Sequence, residues 1–225
     1  MRKLLLAAGL MGIGGPAAAQ QVLYTPVPPK GSAYVRFVNA LDGPVKVSPD
    51  FLPAQTLGAG AADRVSAYAV VEHVQGRAMA VDAGDGARSG HATLGVAPGS
   101  FVTVILRAAG AAGIAVTEVV DQTEFNQTRA HLAFYNATTD CPAAALTLLP
   151  AKASVFADVA PGTAKTRSVN PVTATVVAAC GGGQAASVAL NGLEAGGMYS
   201  VWLMTQAPDQ RRGFISRDST LPWTP

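Results

Sequence analysis

Charged side chains are scarce. Asp, Glu, Lys and Arg make up 13% of the 225 residues, against about 25% in ordinary globular domains. That excludes a coiled coil, which is built on Glu, Lys and Arg, and argues against charge-driven disorder. Histidine occurs only at His73, His91 and His131. No two of them share ligand spacing, and no Glu follows one at the spacing of a zinc hydrolase. Gly-x-Ser-x-Gly is absent, so there is no nucleophile elbow. Gly58-Ala59-Gly60-Ala61 and Gly181-Gly182-Gly183 lack a following Lys-Ser/Thr and a βαβ setting, so neither reads as a phosphate loop. The sequence offers no catalytic constellation, and neither a cofactor nor a metal site is expected.

The longest apolar run is short and sits at the start. Arg2 and Lys3 precede Leu4-Leu5-Leu6-Ala7-Ala8-Gly9-Leu10-Met11-Gly12-Ile13, and Ala17-Ala18-Ala19 follows. A charged head, a short apolar core and a small-residue exit predict a secretory signal peptide over residues 1–19. The run falls short of the roughly 18–20 apolar residues of a spanning helix, so no membrane span is expected in the mature chain. The formal charge of +2 belongs to this leader: without Arg2 and Lys3, 14 basic residues face 14 acidic ones. A neutral chain lacks the basic field that general nucleic-acid binding requires. Cysteine occurs twice, at Cys141 and Cys180, both beyond the leader. An even count in an exported chain favours a disulfide, with two buried thiols as the alternative. Two cysteines alone are too few for a structural zinc site.

What is abundant is Gly, at 24 residues, and Pro, at 15. They punctuate short runs of Val, Ala and Thr, which read as an all-β chain. Residues 20–32 hold too many prolines and glycines for a helix and read as an extended arm. Ala33-Tyr34-Val35-Arg36-Phe37-Val38-Asn39-Ala40 is the first strand, with Val45-Lys46-Val47-Ser48 as its expected hairpin partner. Further strands are predicted at 67–73, 78–82, 91–95, 101–106 and 114–120. The pattern then restarts. Ala130-His131-Leu132-Ala133-Phe134-Tyr135-Asn136-Ala137 repeats the first strand at an offset of 97, with four identical positions. Phe101–106 resembles the run starting at Tyr199, and Asp121-Gln122-Thr123 is echoed by Asp218-Ser219-Thr220. Three matches in order argue for two copies of one unit. The expected fold is two tandem antiparallel β-sandwiches of similar topology, at 33–122 and 129–225, joined by a linker at 123–128. Each has about the size usual for a small sandwich. Alternation along the first strand puts Tyr34, Arg36 and Val38 on one face and Val35 and Phe37 on the other. Leu132 and Phe134 take the inward slots of the second copy. The disulfide lies wholly in the second unit.

The residues that stand out are polar groups among apolar ones. Arg36 sits mid-strand, Arg167 lies near Asn170-Pro171, and Arg211-Arg212 is placed in a loop between Trp202 and Phe214. Arginine and exposed aromatics are what contact surfaces use; a solvated or salt-bridged side chain is the alternative at each.

Leu23-Tyr24-x-Pro26-x-x-Pro29-Lys30-Gly31-Ser32-x-Tyr34-Val35-Arg36-x-x-Asn39-Ala40, directly after a leader, resembles the mature start of the alginate O-acetylation accessory (AlgF) family. Asn136, Val169-Asn170-Pro171-Val172 and the apolar strand from Tyr199 extend the likeness more diffusely. The resemblance implies a periplasmic, non-catalytic adaptor of two β-sandwiches. Its implied partners are membrane-associated polysaccharide-acetylation proteins, with the polysaccharide itself as a further candidate ligand. Tyr24, Arg36 and Asn39 carry over as motif residues, and with Arg167, Arg211 and Arg212 they form the candidate partner or polymer contacts. The cysteine pair and the scarcity of Lys and Glu depart from the family pattern. They imply a divergent member, acting on alginate or on another polymer such as cellulose. The rival readings are a stand-alone carbohydrate-binding module stacking sugars on Tyr24, Trp202 and Trp223, and a fimbrial or chaperone-type sandwich.

Overall fold

The structure, a computed structural model, describes residues 27–181, 185–207 and 210–223. The predicted leader, residues 1–19, and residues 20–26 of the predicted arm, including Tyr24, lie outside the described residues. Among those described there is no helix, and hence none long and apolar enough to cross a membrane. The chain is all-β.

The first unit runs β1 (Ala33–Asn39), β2 (Val45–Pro49), β3 (Gln55–Leu57), β4 (Ala69–Val71), β5 (Met79–Gly84), β6 (Ser89–Leu94), β7 (Phe101–Ala109) and β8 (Gly113–Asp121). The second runs β9 (Ala130–Asn136), β10 (Ala144–Leu149), β11 (Ala153–Val159), β12 (Thr163–Val169), β13 (Ala174–Cys180), β14 (Ala185–Leu190), β15 (Met198–Ala207) and β16 (Gln210–Arg217). The second unit forms two sheets, ordered β11-β10-β13-β14 and β12-β9-β15-β16. The first forms one curled sheet, β3-β2-β5-β6-β8-β7-β1-β4, closed between β6 and β8 by the single pairing Ser89–Gly113. Opened at that seam, it gives β3-β2-β5-β6 and β4-β1-β7-β8. These are the two sheets of the second unit with eight subtracted from each strand number, so the strand order is duplicated.

The seams are tight. A Cβ on Gly90 of β6 would lie 2.0 Å from the Ile114 carbonyl oxygen of β8. In the second unit a Cβ on Gly213 of β16 would lie 2.8 Å from a Val188 methyl carbon of β14. Glycine at these points lets the two sheets of a unit approach.

Alternation along β1 and β9 holds. Val35 and Phe37 enter the core of the first sandwich, and Leu132 and Phe134 enter that of the second. The opposite faces are not solvated, and every residue of both strands is buried. Two pairings differ from expectation. β2 is no hairpin partner of β1: it pairs with β3 and β5, on the facing sheet. The neighbours of β1 are β4, antiparallel, and β7, parallel, and β9 pairs with β15 in parallel in the same way. The reason is visible at the strand ends. Asn39 Nδ2 donates to the carbonyls of Gly43 (2.8 Å) and Gly58 (2.7 Å), and its Oδ1 accepts the Leu41 amide at 2.8 Å. Asn136 does the same, donating to the carbonyls of Cys141 and Val159 and accepting from Thr138. Each side chain pins a crossover from one sheet to the other where a hairpin would have turned back.

Cys141 and Cys180 are bonded, with Cα atoms 5.5 Å apart. The bond ties the β9–β10 connection to the end of β13, inside the second unit, and fits an oxidising compartment. It closes a loop of 39 residues, which corresponds to about 4 kcal/mol of unfolded-chain entropy. Urea denaturation with and without reductant is expected to differ by that amount. A difference below about 1 kcal/mol would contradict the assignment.

Candidate functional site

The inner sheets of the two units, β4-β1-β7-β8 and β12-β9-β15-β16, face each other. Val38, Ile105 and Val119 of the first unit pack there with Tyr135, Trp202, Met204 and Phe214 of the second. Tyr135 stacks on Trp202 at 4.1 Å between ring centroids, and Trp202 Nε1 donates to Ser216 Oγ at 2.9 Å.

Into this apolar layer β1 projects Arg36, which is 1% exposed. Its Nη1 meets Asp218 Oδ1 at 2.7 Å, a salt bridge across the two units. Nε donates to Thr103 Oγ1 at 2.8 Å, and Nη2 donates to Tyr135 Oη at 3.0 Å and Ser200 Oγ at 3.1 Å. The guanidinium also lies 4.4 Å from the Tyr68 ring centroid and 5.2 Å from that of Trp202. A second carboxyl, Asp121, closes the cluster. It accepts from Tyr135 Oη at 2.5 Å and from Tyr68 Oη and Thr103 Oγ1 at 2.7 Å each. Ser200 Oγ donates to Asp218 Oδ2 at 2.8 Å. Each guanidinium nitrogen of Arg36 therefore has an acceptor, the condition under which a buried charge is tolerated.

Backbone register places these groups. Thr103 stands opposite Arg36 on the adjacent strand β7, and Ser200 stands opposite Ala133 on β15. Asp121 is the last residue of β8, and Asp218 directly follows β16. The chain beyond Asp218 then crosses to the first unit. The Tyr68 amide donates to Ser219 O, and the Leu221 amide to Tyr68 O, both at 2.8 Å. The C-terminal segment thus straps the first unit while carrying Asp218 to Arg36.

One cation faces two carboxyls, so the cluster is neutral only when one carboxyl holds a proton. Burial raises the Asp121 pKa against the opposing pull of Arg36 and the three hydroxyl donors. Burial works to lower the Arg36 pKa, but Asp218 first and then the tyrosines and Asp121 outweigh it, and Arg36 stays firmly charged. Tyr68 and Tyr135 are both pushed upward, burial being the main cause. Sealed inside the interface, this arrangement stores a charge and joins two bodies.

The candidate contacts fall into separate places. Arg36 and Asn39 are both buried, at 1% and 0% exposure, one in the inter-unit ion pair and the other as the crossover clamp. Trp202 is fully buried as well and supplies no platform for sugars, whereas Trp223 is 42% exposed. Arg167 is exposed on β12 and donates to Val155 O at 3.2 Å. Arg211 and Arg212 lie on strand β16, not in a loop, because this stretch pairs with Thr205 and Met204 of β15. Arg211 pairs with Asp140 at 2.9 Å, and Arg212 is exposed. His131 is buried at 5% exposure, its pKa lowered chiefly by burial. Among the described residues no His, Cys, Asp and Glu group is placed to hold a metal. Sequence reasoning missed Tyr68, Thr103, Asp121, Tyr135, Ser200 and Asp218. The available signal was the repeated Asp121 and Asp218, noticed as duplication but not as chemistry. No protein-family model matches the chain, and no curated protein matches it.

Arg36→Met is expected to cost about 3–5 kcal/mol, because it leaves buried carboxyls without their cation. The urea midpoint reads it, and a loss below about 1 kcal/mol would contradict the account. Asp121 adds a pH signature. Its folded pKa is raised, so its contribution is fully present below the unfolded carboxyl pKa. That contribution is lost as pH rises through the folded value. Stability of the natural chain should fall across that window relative to Asp121→Asn; parallel pH profiles would contradict it.

Proposed function

We propose that the protein is a non-catalytic periplasmic accessory protein of exopolysaccharide O-acetylation. On this reading it is an adaptor that contacts acetylation enzymes and their polymer, alginate or an alginate-like chain. The observation that carries the reading is one body with two unlike outer sheets. In the first unit the central row of the outer sheet is Ser48, Asp82 and His91, with His91 Nδ1 and Asp82 Oδ1 in hydrogen-bond contact at 2.8 Å. The matching row of the second is Thr147, Val177 and Ser187, without charge. Duplication followed by divergence of the exposed faces suits a molecule that engages two different partners. The resemblance over residues 23–40, the leader pattern and the disulfide support the same reading. The polar groups most suited to chemistry, Arg36, Asp121 and Asp218, are engaged in joining the units.

A strain lacking the chain is expected to export polymer of unchanged yield but reduced acetyl content. The tagged protein should co-purify with the acetylation enzymes. Full acetylation in the deletion strain, or hydrolysis of a model acetyl ester by the purified protein, would overturn the proposal.

A further inference from the structure

One end of the seam between the units gathers arginines. The loop after β3 folds back on itself: the Gly58 amide donates to Asp63 O at 3.0 Å, and the Asp63 carboxyl occupies the space a Cβ on Gly58 would need. This turns the Ala59 carbonyl outward to two guanidiniums. Arg64, 3% exposed, donates to Ala59 O through Nη2 and to Asn39 O at 2.9 Å and Met204 Sδ at 3.2 Å through Nη1. Arg212, from the other unit, reaches the same Ala59 oxygen at 3.5 Å. Two cations thus converge on one neutral acceptor. The Arg64 Nε is buried without a partner, and neither arginine has an ion pair among the described residues. Burial, and after it the Arg212 charge, lowers the Arg64 pKa, with Asp63 and Asp42 opposing.

The surroundings carry charge of both signs, with Asp63 and Asp42 near Arg64 and Asp140 on Arg211. Arg211 is held by Asp140, yet its Nε is also buried and unpartnered. Arg107 donates across the seam to Thr138 O at 2.8 Å and has no carboxylate partner among the described residues. The neighbouring Asp209 lies outside the described residues.

We propose that this end of the seam is a binding site for a carboxylate-bearing sugar, with Arg212 as its exposed fork and Arg64 as the buried charge behind it. A planar carboxylate matches a guanidinium fork through two parallel hydrogen bonds. The mature chain carries no net charge to draw a polyanion from afar, so recognition must be local, one carboxylate at a time. Both units contribute, and the site exists only in the assembled pair. The proposal deepens the adaptor reading, resting on it only for the source of the carboxylate: it names a uronate polymer over a neutral glucan.

Calorimetric titration of the mature chain, residues 20–225, tests it with a uronate hexasaccharide, cellohexaose and inorganic phosphate. The uronate is expected to bind with salt-sensitive affinity and cellohexaose not to bind. Arg212→Gln, an exposed change checked for an unaltered melting temperature, should weaken uronate binding by about tenfold or more. Arg77→Gln, a surface arginine of the first unit, should leave it unchanged. The site is overturned if millimolar uronate does not bind, if Arg212→Gln binds as well as the natural chain, or if cellohexaose or phosphate binds as tightly as the uronate. Such a failure leaves the acetyl content of polymer from the deletion strain untouched, so the two readings fail separately.

Discussion

The molecule is organised around the salt bridge between Arg36 and Asp218. The two residues are 182 positions apart, one on the first strand of the first unit and the other just past the last strand of the second. A guanidinium withdrawn from water costs several kcal/mol unless its donors are satisfied. Here satisfaction requires both units at once: Thr103 comes from one, and Tyr135, Ser200 and Asp218 come from the other. Neither sandwich alone completes the site. The apolar layer of Tyr135, Trp202 and Phe214 around it supplies burial. The ion pair supplies direction, because only one relative placement of the units brings the carboxyl to the cation.

Duplication explains how such a cluster arises. Asp121 and Asp218 occupy equivalent ends of equivalent strands, as do Thr103 and Ser200. Facing one another, two copies of the unit bring two carboxyls into one interface. A cation is needed only once. It stands at Arg36, and the matching position in the second unit is the small Ala133, buried at 2% exposure. Val38 is likewise answered by Tyr135, whose hydroxyl bridges Arg36 and Asp121. The interface is thus a near-symmetric scaffold with an asymmetric filling. That asymmetry leaves one carboxyl in excess of the cation, and it is burial that raises the Asp121 pKa. The outer sheets differ as well, the central row of one carrying the Asp82–His91 pair and that of the other Thr147, Val177 and Ser187.

Much of this was legible in the residues. Short β-branched runs cut by Gly and Pro announced an all-β chain, and the offset of 97 announced the duplication. Two cysteines, an even count, announced the disulfide. Alternation along β1 assigned Val35 and Phe37 inward. What failed was the fate of the other face. An arginine at mid-strand reads as exposed, because its burial depends on carboxyls that arrive from 85 and 182 residues away. Strand partners failed for a related reason. The turn-like run after Asn39 suggested a hairpin, yet the Asn39 side chain captures carbonyls beyond it and sends β2 to the facing sheet. Arg64 carried no sequence signal at all, since its partners are backbone carbonyls and a thioether.

The central claim is that the ion pair makes two sandwiches behave as one. Amide hydrogen exchange under increasing urea separates the units directly, using Val47 of β2 for the first and Leu146 of β10 for the second. In the natural chain both amides should open with the same free energy and the same urea dependence. In Asp218→Asn, which keeps the shape but removes the charge, they should open at separate urea concentrations. Separate opening in the natural chain, or joint opening in Asp218→Asn, would contradict the account.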